Sequence, residues 1–166
     1  FTDYIARCQT MLQEGHPVAD VLWYLGDDLN HKPPQSRPFP NGYAFDYLNH
    51  DVLINRIEVV DGALQTPEGV RWKVLWLPEE DCARLTPATL RRLQQLIQAG
   101  ATVIGSAPKQ NPSLHNLAAS DSEFHSLVDA LWGTDRESLG DRQIGKGRLL
   151  WGADLASTLK KLNILP

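Results

Sequence analysis

The stretch LTPATLRRLQQLIQAGATVIGS, residues 85–106, decides the class of fold. Thr86 can accept a hydrogen bond from the open amides of a first helical turn, and Pro87 suits the first helical position because the donor it lacks would go unused there. Leu90, Leu93 and Ile97 recur at helical spacing as one apolar stripe, and Gly100 supplies the residue on which a helix can close. ATVIGS follows at once, a short apolar run that reads as a buried strand. A helix passing to a buried strand through a tight Gly turn is half of a βαβ unit.

The same grammar extends in both directions. VADVLWYLG (18–26), WKVLWLPE (72–79, stopped by Pro78) and GKGRLLWG (145–152) read as further core strands. Ile5, Cys8 and Leu12 mark a first helix ending near Glu14, before Gly15 and Pro17. SDSE at 120–123 has the form of a capping box, opening a helix whose stripe is Phe124, Leu127, Val128 and Leu131. Leu155, Leu159 and Leu162 place a last helix against the sheet. From Asp46, the residues Tyr47, Val52, Leu53 and Ile57 predict an amphipathic helix capped by an Asp or Asn, and Asp61-Gly62 predicts a hairpin turn. Residues 27–42, rich in Pro and polar side chains, predict a long loop leaving the first strand. Strands alternating with helices imply an α/β fold, a flavodoxin-like or Rossmann-like parallel sheet with helices on both faces. Residues 16–166 form one such domain, and the helix of residues 1–15 is assigned to whatever precedes it.

Composition narrows the function. In 166 residues, 42% apolar and 22% charged content is close to the globular average, which argues against disorder. No apolar run reaches the roughly 20 residues that span a bilayer, so no membrane partner is expected. A net charge of -4 argues against a nucleic-acid partner, and Arg91-Arg92 and Lys160-Lys161 read as solvated helix faces. The opening FTDYIARCQTMLQEGHP has neither an initiator Met nor a signal-type apolar stretch, which predicts a piece of a longer polypeptide or a processed chain.

A site on such a sheet belongs at the carboxyl ends of the strands, in the loops after Gly26, Leu77, Ser106 and Gly152. No cofactor is expected: the first strand leads into LGDDLNHKPP instead of a glycine-rich turn, and GKGR precedes a strand. Neither Cys8 nor Cys82 has metal-ligand spacing, so no metal is expected from them. Cys82 is the candidate nucleophile if the chain is a stand-alone amidotransferase-like enzyme. Its neighbours in EEDCARL are too bulky for a strained elbow, and the adjacent carboxylates would raise a thiol pKa. His115 and His125 read as surface residues. Asp27-Asp28 and Glu79-Glu80-Asp81 read as solvated loop charge in preference to a pair of glycosidic carboxylates. Tyr43, Phe45, Asp46, Tyr47 and Asn49 combine aromatic, acidic and amide groups as a sugar site would. Helix entry with core aromatics is the competing reading.

Taken together, the segments at 3–28, 40–79, 85–114 and 145–152 resemble, in order, the region after the catalytic barrel in bacterial α-L-rhamnosidases of glycoside hydrolase family 106. The resemblance implies that the helix carrying Tyr4 to Leu12 closes a (β/α)8 barrel. It also implies that the following α/β unit is similar to the class I glutamine amidotransferase-like domains beside the barrel in some β-galactosidases. The catalytic carboxylates would then lie in the barrel, and no residue here inherits a catalytic role. The barrel would be the partner, a homo-oligomer contact is compatible with the reading, and the parent would be a bacterial, periplasmic or secreted protein. Carbohydrate contact, through the loop of residues 27–43 and through Tyr43, Asp46 and Asn49, is the expected binding role. A free-standing carbohydrate-binding module is the remaining alternative.

Overall fold

In the computed structural model, which describes residues 1–13, 15, 18–27, 39–114, 116–136 and 138–166, the elements run in chain order as follows. They are α1 (Thr2–Gln13), β1 (Val21–Tyr24), β2 (Phe45–Leu48), α2 (His50–Asn55), β3 (Glu58–Val60), β4 (Ala63–Gln65), β5 (Arg71–Trp72) and β6 (Val74–Leu77). There follow α3 (Glu79–Cys82), α4 (Pro87–Ala99), β7 (Thr102–Gly105), α5 (Leu117–Trp132), β8 (Gly140–Ile144), β9 (Gly147–Trp151) and α6 (Leu155–Lys161).

The central sheet has the order β2-β1-β6-β7-β9-β8, parallel except for β8, which pairs antiparallel with β9. Counting only its parallel strands in chain order, the arrangement is 2-1-3-4-5. A three-stranded antiparallel sheet, β3-β4-β5, is inserted before β6. Asp61 and Gly62 form its first turn with φ of 52° and 78°, a left-handed pair that only Gly, Asn or Asp adopt at little cost.

Side-chain alternation separates two apolar layers. Leu22, Tyr24, Leu48, Leu75, Leu77, Val103 and Leu149 point to one face, where Leu53 of α2, Leu90, Leu93 and Ile97 of α4, and Phe124, Val128 and Leu131 of α5 cover them. Val21, Val74, Ile104 and Leu150 point to the other, beneath Leu155 and Leu159 of α6 and Ile164. On that second face, toward the β2 edge, Trp23 is enclosed by Phe39, Phe45, Tyr47 and Trp76, with ring centroids 4.5–5.9 Å away. α1 buries no residue at all.

The helix and strand of residues 85–106 form as the sequence requires: the Thr86 hydroxyl accepts from the Thr89 amide, Pro87 opens α4, and Gly100 closes it at φ 131°. Three local expectations need correction. Residues 45–48 form the edge strand β2, so Tyr47 lies on a strand and is half exposed, and Asn49, not Asp46, caps α2. Strand pairing with β1 outcompetes the weak helical period there. α5 begins at Leu117, ahead of the SDSE box. β8 (GDRQI) was not foreseen, because its three central residues are all exposed and leave no apolar signature.

α6 is fixed at both ends. Asp154 accepts from the Ser157 amide at 3.0 Å, and near the other end Lys161 donates to Asp141 of β8 at 2.7 Å. The same Asp141 accepts two bonds of 2.6 Å from Arg148. The hydrogen bond from Arg148, then that from Lys161, holds the Asp141 carboxyl down at about 2. A depressed carboxyl contributes stability above its unfolded pKa, which is lost as pH falls through the folded value. The urea midpoint of the wild type should therefore exceed that of Asp141→Asn at neutral pH. The gap should close as pH drops from about 4 toward about 2, and it should narrow in high salt. A pH-independent gap would show that the Asp141 pairs contribute nothing.

Candidate functional site

The carboxyl ends of β6, β7 and β9 open into a crevice of about 790 Å³. Trp23, Trp76, Ile104 and Leu155 give it apolar walls, and Glu79, Glu80, Lys109 and Asp154 bring charge to it. Lys109 donates to Glu79 at 2.7 Å. Trp151 also borders the crevice, and among the described residues its buried indole Nε1–H, on the α4 and α5 side of the sheet, has no partner. Three of the four loops singled out from sequence, those after Leu77, Ser106 and Gly152, meet here. Gly26, from which the fourth departs, is itself pressed against α3: a Cβ on it, at φ 83°, would sit 2.2 Å from the Asp81 carbonyl oxygen.

Beside this crevice the end of β1 carries a buried carboxylate. The Asp27 side chain is 4% exposed. It accepts from the Tyr24 hydroxyl, from the Thr86 amide at 2.6 Å and from the Thr89 hydroxyl at 2.8 Å. His50 Nδ1 lies 3.4 Å from Asp27 and 3.2 Å from both the Tyr24 and Thr89 hydroxyls. Burial first, then the neighbouring Asp27 charge, pushes the Tyr24 phenol far above its usual range, so it stays a donor. His50 also borders a second crevice of about 450 Å³ between α4 and α5, with Thr86, Arg91, Ser113 and Glu123. Arg91 is paired there with Glu123 at 2.6 Å.

The structure thus corrects two sequence expectations about charge. Asp27 is a buried junction and not solvated loop charge, and Asp81 accepts from the Trp23 indole at 3.1 Å. Arg92 is likewise more than a solvated face: it donates to the carbonyls of Leu53 and Ile57, tying α4 to α2. Little local signal marks Asp27, because apart from the Tyr24 hydroxyl its donors arrive from residues about sixty positions away.

The residues nominated for sugar contact are placed apart. Tyr43 donates to the Ile164 carbonyl at 3.0 Å on the α6 face. Asp46 accepts from Trp72 Nε1 at 2.8 Å on the opposite face, and Asn49 accepts from the Val52 amide at 2.9 Å. None of the three borders either crevice. Asp28, most of the loop of residues 27–43, and His115 fall outside the described residues. His125 is exposed on α5, as read. Cys82 ends α3, is 2% exposed and directs its thiol to the Tyr24 carbonyl at 3.8 Å. GKGR forms the turn between β8 and β9 and the start of β9, where Ile144 pairs with Gly147. Among the described residues no group of three His, Cys, Asp or Glu is placed to hold a metal ion, and no helix is long and apolar enough to cross a membrane.

These contacts set expectations for two variants. Asp27→Asn would put an amide NH2 among donors, so it should lower the unfolding free energy by about 2 kcal/mol in urea titrations. A cost near zero would mean that the buried junction is not structural. In the native chain a thiol reagent should label Cys8 and leave Cys82 slow until denaturant is added. Fast labelling of Cys82 in Cys8→Ser would contradict its burial.

Comparison with known proteins bears on identity. The family model described as alpha-L-rhamnosidase, glycoside hydrolase family 106, matches residues 1–166. A protein of Formosa agariphila named "Putative beta-glucuronidase" is 41% identical over 137 residues, covering 80% of this chain and 11% of that protein. The solved rhamnosidase of Novosphingobium sp. PP1Y superposes with a TM-score of 0.76 at 32% identity, over 99% of this chain and 16% of that one. The chain therefore spans about a tenth and about a sixth of the lengths of these two relatives. With the match running from Phe1 to Pro166, the chain belongs to the α-L-rhamnosidase family of glycoside hydrolases, family 106.

Proposed function

We propose that this chain acts as a non-catalytic α/β domain of a bacterial α-L-rhamnoside-cleaving enzyme, packed on a catalytic barrel to which α1 contributes. The observation that carries the reading is α1. Phe1, Tyr4, Ile5, Met11 and Leu12 leave its apolar side exposed, and no residue of the helix is buried by the rest of the chain. Apolar surface of this kind calls for a cover, and the two relatives are several times longer than this chain. The same fact supports a division into a helix at 1–15 and a domain at 16–166.

The strand order 2-1-3-4-5 supports a flavodoxin-like description, and with it the likeness to amidotransferase-like domains. Against an amidotransferase activity stands the placement of Cys82, buried at the end of α3 and not raised on an exposed elbow. Against glycoside cleavage by this domain stands the use of its edge acids. Asp27 and Asp81 are committed to donors inside the domain, and Glu79 is committed to Lys109.

The test is association. The purified chain should turn over no aryl α-L-rhamnoside. It should co-elute with the catalytic segment encoded in the same polypeptide, and Ile5→Asp with Leu12→Asp should weaken that binding by about a hundredfold, since two buried apolar anchors are lost. Turnover by the chain alone that a single carboxylate change abolishes would overturn the proposal, as would equal association of the doubly charged variant.

A further inference from the structure

We infer that Asn41 is a site of spontaneous covalent modification, at which the amide nitrogen of Gly42 attacks the Asn41 side-chain carbonyl and converts the residue, through a succinimide, to isoaspartate and aspartate. In the first step a bond forms between the Gly42 nitrogen and Asn41 Cγ, the bond from Cγ to the side-chain nitrogen breaks, and ammonia leaves with the proton that Gly42 gives up. Water then opens the ring at either carbonyl, so the step balances with water as its co-reactant. The attack needs an amide nitrogen that no side chain shields, and of the seven asparagines only Asn41 precedes a glycine.

The fold keeps this pair open. Asn41 and Gly42 are both exposed, and neither the Asn41 carboxamide nor the Gly42 amide finds a hydrogen-bond partner among the described residues. Their turn is held loosely: the Tyr43 amide donates to the Pro40 carbonyl at 3.4 Å, longer than a usual amide bond, so residue 41 can rotate to bring the Gly42 nitrogen onto Cγ. The scaffold also fixes the glycine. Gly42 stands at φ 88°, and a Cβ there would lie 2.5 Å from Cβ of Pro166, so a larger residue at position 42 would not relieve the reactive pair without strain. Other asparagines are protected. Asn49 and Asn55 commit their carboxamides to hydrogen bonds, and Asn111 precedes Pro112, which has no N–H to attack with. Asn116 and Asn163 precede Leu117 and Ile164, whose side chains crowd the nitrogen.

Either product adds one negative charge to a chain of net charge -4, but only isoaspartate routes the backbone through the side chain and inserts a methylene. That insertion falls directly ahead of Tyr43, which donates to the Ile164 carbonyl at 3.0 Å, and beside the contact of Gly42 with Pro166. The modification therefore loosens residues 164–166 from the turn before β2. None of this depends on what the domain packs against.

The test is to age the purified 166-residue chain in mildly alkaline buffer, folded or unfolded in urea, and to follow the peptide carrying Asn41 by mass and by enzymatic methylation of isoaspartate. Asn41 should convert before any other asparagine, and in the folded chain within about tenfold of its rate in urea. Asn41→Gln should keep the fold and remove the isoaspartate signal from that peptide. Fresh Asn41→Asp carries the charge without the extra methylene. Its amide resonances at Ile164 and Leu165 should therefore match those of fresh wild type, whereas aged wild type should give a second set. A folded chain that keeps Asn41 intact while the urea sample converts would overturn the inference, as would isoaspartate in the same peptide of Asn41→Gln. Aged wild type whose Ile164 and Leu165 resonances coincide with those of Asn41→Asp would overturn the loosening of that segment.

Discussion

A carboxylate taken out of water at the end of the first strand constrains everything around it. A buried carboxyl group there needs donors that converge on it. They come from Tyr24 of β1 and from Thr86 and Thr89 at the start of α4, while His50 Nδ1 at the start of α2 lies 3.4 Å from the carboxylate. One side chain thus ties three elements at the carboxyl edge of the sheet and sets where α4 begins. Because the Thr86 amide is one of the open donors of the first turn, the charge also sits favourably at the N-terminus of α4. The edge where α/β sheets ordinarily do chemistry is, in this half of the domain, occupied by architecture.

The two faces of the sheet have unequal cover. α2, α4 and α5 close one face over a continuous aliphatic layer. On the other, α6 covers Val21, Val74, Ile104 and Leu150, while the β2 side is covered by aromatic rings around Trp23. Tyr47 is half exposed in that cluster, and α1 adds a second exposed apolar surface. These exposed apolar surfaces are what the proposed packing against a longer polypeptide would cover. Membership of the α-L-rhamnosidase family, within relatives several times longer, supplies a coherent cover.

Much of the fold was legible because burial leaves local traces. VLWY, VLWL, TVIG and RLLW are apolar on both sides since both sides are covered, and α4 announces itself through Thr86, Pro87 and Gly100. β2 and β8 were missed for the opposite reason. Both are sheet edges, and FDYL and GDRQI carry polar residues that pairing tolerates only there. The region of the crevice was legible from topology, as the loops after Leu77, Ser106 and Gly152. Its lining was not, since Trp76 and Trp151 look like ordinary strand residues until the register places them at one end of the sheet. Asp27 was misread because burial of an acid depends on partners distant in the chain. Asp46, Asn49 and Tyr43 show the converse: residues that look like a binding group can each hold a separate joint of the scaffold.

The central claim is that α1 and the domain behind it are completed by the rest of a larger polypeptide. Amide hydrogen exchange along residues 2–13 reads this most directly, in the isolated chain and in the whole polypeptide. The account predicts rapid exchange in the isolated chain, where nothing buries the helix, and strong protection in the whole polypeptide, with the exchange of β6 and β7 unchanged between the two. Equal exchange of α1 in both forms would contradict it.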